Sequence, residues 1–554
     1  MKNLKTLFFA STTALFLASC GSSVAPITTA PLKNIDNQPT KVATLEGDQL
    51  KTWSAADLAT DTIPGMSINR AYAEIIPNLK GVNVIVAVID SGIDIEHEDL
   101  KNIIWVNKNE IPNNGIDDDK NGYIDDIHGW NFLGDIVGEN LEFTRIIRKY
   151  DDQFSGKTES DISEEDKDTF AMYQKAKAEL EKETSKANAN KERYGKMLAQ
   201  IEPAHKAISK KLGKEDYSAE DLVAISNPTE EEQAQIEILT QMLSYGNTIP
   251  ELVEQLNGGV EYFGGRMDTH FNVKKDFRTV LGDNPDDFND DKYGNNDVDG
   301  PDPKKEDVMH GTHVAGIIAA ERGNGIGIDG VAQNVEIMAI RAVPDGDEYD
   351  KDVALAIRYA VDNGAKVINT SFGKAYSPHP EWVWDAIKYA AKHDVLIVNA
   401  AGNDGIDLDV VQSYPSDQIG TGEEISDNFI TIGALNYKYG KDLVATFSNY
   451  GASSVDLFSP GVKIWSTVQL NEYKYLQGTS MASPNVAGVA AMIRSYYPKL
   501  SASQVKQVLM DSGLSSNALV ELGGEESNVK SFSTISTSGK MVNLYNALIL
   551  ASKI

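Results

Sequence analysis

Cys20 is the only cysteine in a chain of 554 residues, so no disulfide can form within it. Basic side chains are also scarce. Fifty-one Lys and Arg face 82 Asp and Glu, a formal net charge of −31. Phosphate contacts need a basic face, and this balance argues against nucleic acid as a partner. It suits a soluble, secreted protein able to bind cations. The apolar run at 7–17 is too short for a membrane span, which needs about 20 residues. A zinc helix of the His-Glu-x-x-His type is missing as well. His310 and His313 stand three apart, not four, with Gly311 and Thr312 between them and no glutamate. The length accommodates two or three average domains, or one large domain with insertions and a sizeable core.

Lys2 and Lys5 precede the 7–17 run, which leads into Leu17-Ala18-Ser19-Cys20-Gly21. A basic start, a short apolar stretch and small residues make a secretory signal. Its end resembles the bacterial lipobox, whose cysteine becomes the lipidated mature N-terminus. That resemblance implies a signal peptide at 1–19, lipidation at Cys20 and export. The protein would then be anchored to a bacterial membrane through its lipid, facing the periplasm or on the cell surface. Each acyl methylene buried in the bilayer contributes about 0.8 kcal/mol. Residues 20–65, rich in Ser, Thr, Pro and Asn, read as a flexible tether or short pro-region.

From residue 66 the pattern changes. Residues 82–89, VNVIVAVI, form a β-branched run ending in Asp90-Ser91-Gly92, as expected of a buried parallel strand that runs into a loop. Similar runs recur at 335–342, 367–370, 395–400 and 429–432, with helical patterns between them at 353–363 and 381–393. This alternation predicts an α/β fold with a doubly wound, mostly parallel sheet sandwiched by helices. Ligands in such sheets sit at the carboxyl ends of the strands. Asp90, Ser371 and Asn403 all fall just past predicted strand ends. Residues 139–280 break the rhythm and predict an inserted α-helical subdomain. Ser163 is a helix N-cap there, Pro203 an interruption, Thr229 the start of a capping box and Pro250 the first turn of a further helix. The insertion divides the remainder into 66–138 and 281–554.

Ser480, in Gly478-Thr479-Ser480-Met481-Ala482-Ser483-Pro484, stands where a helix begins. It reads either as a cap or as a nucleophile whose own N–H faces an oxyanion. Asn403, in Ala401-Gly402-Asn403-Asp404-Gly405, is a turn former or an amide donor. Taken together, a carboxylate, a histidine, an amide and a serine each lie in a small-residue loop. These segments resemble the subtilase (subtilisin-like serine peptidase) family. Val-Ile-Asp-Ser-Gly matches its aspartate motif, His-Gly-Thr-His-Val-Ala-Gly its histidine motif and Gly-Thr-Ser-Met-Ala-Ser-Pro its serine motif. The order, aspartate then histidine then serine, is that of subtilisin.

The resemblance implies the subtilisin fold and hydrolysis of polypeptide substrates, with Asp90, His310 and Ser480 as a catalytic triad and Asn403 as oxyanion donor. His313 is then a packing residue. Ser371, Phe372, Gly373 and Gly402 would bind substrate, the first three by strand addition. The acidic loop at 344–350 would line the non-primed side of the cleft, either attracting Lys or Arg or standing solvated. The 20–65 stretch is shorter than the family's folded inhibitory prosegment, and any autolytic trimming would fall near 50–70. The rival reading from another class is a catalytically silent binding lipoprotein on the same fold. A monomer is favoured.

One further cluster points to calcium. Counted from Asp117, Asp occupies positions 1, 3 and 9, Asn position 5 and Gly position 6 of an EF-hand-like loop. Asp117, Asp119, Asn121, Tyr123, Asp125 and Asp126 are the candidate ligands, while His128 stands where an EF-hand has its bidentate glutamate. Subtilases commonly bind stabilising calcium. The acidic stretch at 283–302 is a weaker candidate for a second site.

Overall fold

A computed structural model describes residues 31–554 except 37, 42, 245, 247 and 421. The expected signal at 1–19 and Cys20 lie outside the described residues. Seven short, almost wholly buried strands build most of the sheet: β1 (Val84–Asp90), β2 (Gly129–Asn131), β3 (Val335–Arg341), β4 (Val367–Thr370), β5 (Leu396–Ala400), β6 (Phe429–Leu435) and β7 (Leu457–Pro460). Leu514–Ser515 and Lys540–Met541 extend one edge. From that edge the order is 514–515, 540–541, β7, β6, β5, β4, β1, β3, β2. Only the 514–515/540–541 pair is antiparallel.

The chain leaves β1 for one side of the sheet and returns on the other, so β1 lies between β3 and β4. This is the reversal point at which open α/β sheets open a crevice. Two helices that are apolar nearly all round, Met309–Ala319 and Thr479–Tyr496, pack against the sheet inside one large core, as helices without a polar face must. The first begins beside the carboxyl end of β1 and the second beside that of β4.

The described residues of 31–65 are not a tether. Ile35, Trp53, Leu58 and Met66 are buried in the body, Trp53 Nε1 donates to the Val462 carbonyl, and Asn34 pairs with Ser515 in a parallel bridge. The polar composition concealed a few well-spaced apolar anchors, and these dominate because each removes a large apolar area from water. The same burial covers much of the 50–70 stretch expected to be trimmed.

Between β2 and β3, most of the described residues of 142–268 are helical. Glu142–Phe154, Lys167–Leu212, Glu230–Leu243 and Ile249–Asp268 pack on one another around two cores of their own. The capping box at Thr229 forms, and others form at Thr158, Ser218 and Thr248. Pro203 does not interrupt: Lys167–Leu212 runs through it as 46 residues, about 70 Å at 1.5 Å per residue. Ile201, Ala204 and Ile208 on either side of the proline are buried in the outer helical core, and that packing offsets the lost hydrogen bond. Among the described residues no helix is long and apolar enough to cross a membrane.

Candidate active site

Asp90 ends β1 and is 1 % exposed. Its Oδ1 accepts from the Ser91 amide (2.7 Å) and from His310 Nδ1 (2.8 Å), while Oδ2 is buried with no hydrogen bond. His310 is the second residue of the 309–319 helix. Gly311 lets that helix close on the Asp90 turn, because a Cβ there would fall 2.1 Å from the Gly92 carbonyl oxygen. The surrounding protein lowers the imidazole pKa, but the Asp90 charge and hydrogen bond outweigh this and leave it above its usual value. The side chain nonetheless keeps 37 % of its surface open, enough to meet a substrate.

His313, on the same helix, has a different environment. It is fully buried, its Nε2 donates to the Lys474 carbonyl (3.1 Å), and its Nδ1 has no partner. Burial, with the nearby His310, holds its pKa down at about 3. It is a neutral packing residue, as the sequence leads one to expect.

Ser480 is the second residue of the Thr479–Tyr496 helix. Its N–H makes no intrahelical bond at this position. Pro484, four residues on, has no N–H to offer the Ser480 carbonyl, which accepts from Ser371 Oγ instead (2.9 Å). Ser480 Oγ in turn donates to the Ser371 carbonyl (3.1 Å). The two serines thus bind the helix start to the end of β4.

Asn403 lies three residues past β5. Its Oδ1 accepts from Thr479 N (2.8 Å) and Thr479 Oγ1 (3.1 Å), which fixes the amide orientation and leaves Nδ2 free to donate. A Cβ built on Gly478 would stand 3.5 Å from Ser480 N and 3.6 Å from Asn403 Nδ2. Ser480 N and the Asn403 amide group, its Oδ1 and Nδ2 alike, therefore lie close together around Gly478.

Thr479, Asn369 and Ser483 hold this geometry, and the sequence reading passed over all three. Thr479 Oγ1 accepts from Gly402 N (3.0 Å), Asn369 Nδ2 donates to Ser371 Oγ (2.9 Å) and Ser483 Oγ donates to Asn369 Oδ1 (2.8 Å). Their signal was position, since each stands within three residues of a serine already singled out. Gly402 spends its amide on Thr479 and its carbonyl on Asn449 N. Phe372 is half-buried and Gly373 exposed at the rim.

The acidic loop after β3 is neither solvated nor free to recruit cations. Glu348 and Asp350 are buried, Asp347 Oδ2 accepts from Glu142 N (2.7 Å) and Lys374 Nζ contacts Asp350 Oδ1 (2.9 Å). Only Asp345 is well exposed, with Oδ1 3.3 Å from His270 Nε2.

Of the acidic loop residues at 117–126, Asp119 and Asp126 converge, and with them Glu110, which the sequence reading missed. One oxygen from each lies within 4.8 Å of the others, the largest separation of two ligands about 2.4 Å from one calcium. Burial raises Asp126 to about 6 against hydrogen bonds from Tyr359, Asn121 and Asn107, and the neighbouring Asp119 charge adds to the rise. Three converging carboxylates are the oxygen donors a hard cation takes. Asp117 and Asp125 do not join the cluster and accept backbone amides at 121–122 and 114–115; within it, Glu110 accepts the amides of 118, 119 and 125 and Asp119 that of 121. Asn121 Nδ2 bonds Asp126, and the Tyr123 ring packs on Trp130 and Tyr359. In the 283–302 stretch, Asp283 is paired with Arg278 and Lys351, Asp286 with Lys149 and Asp299 with Lys305. These carboxylates already have cationic partners.

A sequence model described as the subtilase family matches residues 81–531. A thermophilic serine proteinase of Bacillus sp. (strain AK1) is 45 % identical over 188 residues, 34 % of this chain and 42 % of that one. A cell wall-associated protease of Bacillus subtilis (strain 168) is 38 % identical over 222 residues, 40 % of this chain and 23 % of that one. Subtilisin DY of Bacillus licheniformis is 39 % identical over 201 residues, 36 % and 68 %. This chain thus spans less than half the length of the first two. A solved cold adapted subtilisin-like serine proteinase superposes with a TM-score of 0.33 at 28 % identity, covering 43 % of this chain and 74 % of that one. On the family match over most of its length, this chain belongs to the subtilase family.

Proposed function

We propose that the protein is a secreted, lipid-anchored serine endopeptidase working through Asp90, His310 and Ser480. The observation that carries this is the 2.8 Å His310–Asp90 bond, together with Ser480 at the start of the 479–496 helix and Asn403 tied to that start through Thr479. In the reaction, Ser480 Oγ leaves the Ser371 carbonyl, turns to His310 Nε2 and attacks the scissile carbonyl while the imidazole takes its proton. Asp90 holds the ring and stabilises the imidazolium. The Ser480 N–H and Asn403 Nδ2 receive the oxyanion. His310 then protonates the leaving amine, and water, deprotonated by the same imidazole, hydrolyses the acyl-enzyme. The peptide backbone lies along Ser371, Phe372 and Gly373, with Gly402 behind the oxyanion donor.

Glu110, Asp119 and Asp126 would hold a structural calcium whose charge relieves their mutual repulsion. The expected domain limits (1–19, 20–65, 66–138, 139–280, 281–554) remain part of this reading, except that 31–65 is docked. Anchoring at Cys20 rests on the sequence alone. The rival, a silent binding lipoprotein, would keep Ser480 on the Ser371 carbonyl. A fluorophosphonate probe separates the two. Labelling of the tryptic peptide that contains Ser480, abolished by Ser480→Ala, supports the peptidase; an unlabelled, folded wild type overturns it.

A further inference from the structure

The helical segment joins the body at its two ends. At its near end Asn140 Nδ2 donates to the Thr269 carbonyl (2.7 Å), and Thr144 Oγ1 donates to the His270 carbonyl (2.8 Å). Phe143 stacks on Phe271 at 6.1 Å. Both ends of the segment therefore meet at one place, and that place touches the segment after Gly373, beside the substrate edge proposed above, and the acidic loop, which the subtilase resemblance sets along the other side of the cleft.

One wall is the acidic loop. Arg145 Nη1 donates to the Asp347 carbonyl (2.6 Å), its Nη2 to the Glu348 carbonyl (3.0 Å), and its guanidinium lies 3.9 Å over the Tyr349 ring. The other wall is the segment that follows Gly373. Lys374 pairs its backbone with Tyr414 in both directions (2.9 and 3.0 Å). Its ammonium, 2 % exposed, reaches Glu142 Oε2 (2.8 Å), Asp350 Oδ1 (2.9 Å) and the Glu348 carbonyl (2.7 Å). Glu142 is the first residue of the 142–154 helix, is 4 % exposed, and is gripped from its other side by Arg145 Nε (3.2 Å) and Nη2. Two residues past Lys374, Tyr376 packs edge-on against Phe143 (6.3 Å).

We infer that Glu142 and Lys374 are positioning residues through which the helical segment sets the spacing between the acidic loop and the Ser371–Gly373 edge, and so governs how tightly extended peptides bind on the non-primed side. The inference rests on the peptidase reading and on backbone pairing along that edge. Its physical basis is the water-excluded charge cluster. Buried charges tolerate little displacement from their partners, so the two walls cannot move apart without breaking contacts to Glu142 and Lys374. A substrate paired by strand addition needs its two rails at a fixed separation, whereas a substrate occupying only the scissile residue does not.

The test compares full-length wild type, Glu142→Gln and Lys374→Met on a peptide with four residues before the scissile bond and on a single-residue ester. Fluorophosphonate labelling and Tm are followed in parallel. Glu142→Gln keeps the shape and a hydrogen-bond acceptor, so it carries the test if Lys374→Met fails to fold. The expected result is a KM for the long peptide raised about tenfold, with kcat, ester turnover and labelling each within about twofold of wild type. A long-peptide KM within twofold of wild type overturns the inference, as does an equal loss on peptide and ester. Absence of labelling in the wild type itself would overturn the peptidase reading instead, which keeps the two failures distinct.

Discussion

His310 and His313 sit on one helix three residues apart, yet one shares its proton with a buried carboxylate while the other is sealed against a backbone carbonyl. The first has its pKa raised by Asp90, and the second is held near 3 by burial.

That difference predicts the pH profile. Catalysis needs neutral His310, and its folded pKa lies above the ordinary 6.5. The value of kcat/KM should therefore rise with pH, with a midpoint above 6.5. Asp90→Asn removes the charge that favours the imidazolium. The midpoint should fall and the rate drop by about four orders of magnitude, the size seen when the corresponding carboxylate is replaced in an unrelated Ser-His-Asp enzyme. A midpoint unchanged in the variant would contradict the pairing.

Asn403→Ala should lower kcat by about 100- to 1000-fold with little change in KM. This figure was obtained on subtilisin, a member of the same family, and is carried over here. Steady-state kinetics on one peptide decides it. A loss confined to KM would mean that Asn403 binds ground-state substrate and not the oxyanion.

Much of this site could be read in the primary structure because each participant stands at a strand end or helix start in a loop of small residues. Asp90, His310, Asn403 and Ser480 stand out as candidates from local spacing and the family motifs, and their roles belong to the proposal above. The buried runs gave β1 and β3–β6, since parallel strands covered on both faces are continuously apolar. Glu110 was missed because it lies outside the EF-hand-like window and reaches it only through the fold. The docking of 31–65 and the continuity through Pro203 were misread for a related reason. Local composition and a helix breaker favoured one outcome, and tertiary packing of Trp53, Ile201 and Ile208 decided the other. The acidic loop was misjudged because its counter-charges, Arg145 and Lys374, come from segments distant in sequence.

Calcium should raise the Tm of the full chain, and a chelator should lower it. At a free concentration of a hundred times Kd, one site contributes about 2.7 kcal/mol. Glu110→Gln should shrink the shift while leaving fluorophosphonate labelling intact. Melting curves identical with and without calcium would remove the ion from the account.

Asp417 offers a second pH test, read in stability. Burial pushes its carboxyl up to about 8 against the attraction of Lys506, and Oδ2 is buried without a partner. Unfolded, the group titrates near 3.9. The folded state thus keeps a proton that the unfolded chain has released, and stability falls as pH rises from about 4 to about 8. Asp417→Asn removes that slope. The Tm of the variant relative to wild type should grow between pH 5 and pH 8 and level off above it, as thermal melts at several pH values would read. A gap independent of pH would contradict the assignment.

The most direct measurement is hydrolysis of a casein-derived peptide mixture by wild type and Ser480→Ala, followed by mass spectrometry, with both proteins shown to melt at the same temperature. New peptide termini generated by the wild type and lost in the variant are the result predicted. Equal cleavage by both, or none by either in a folded protein, would contradict the claim that Ser480, His310 and Asp90 work as one unit.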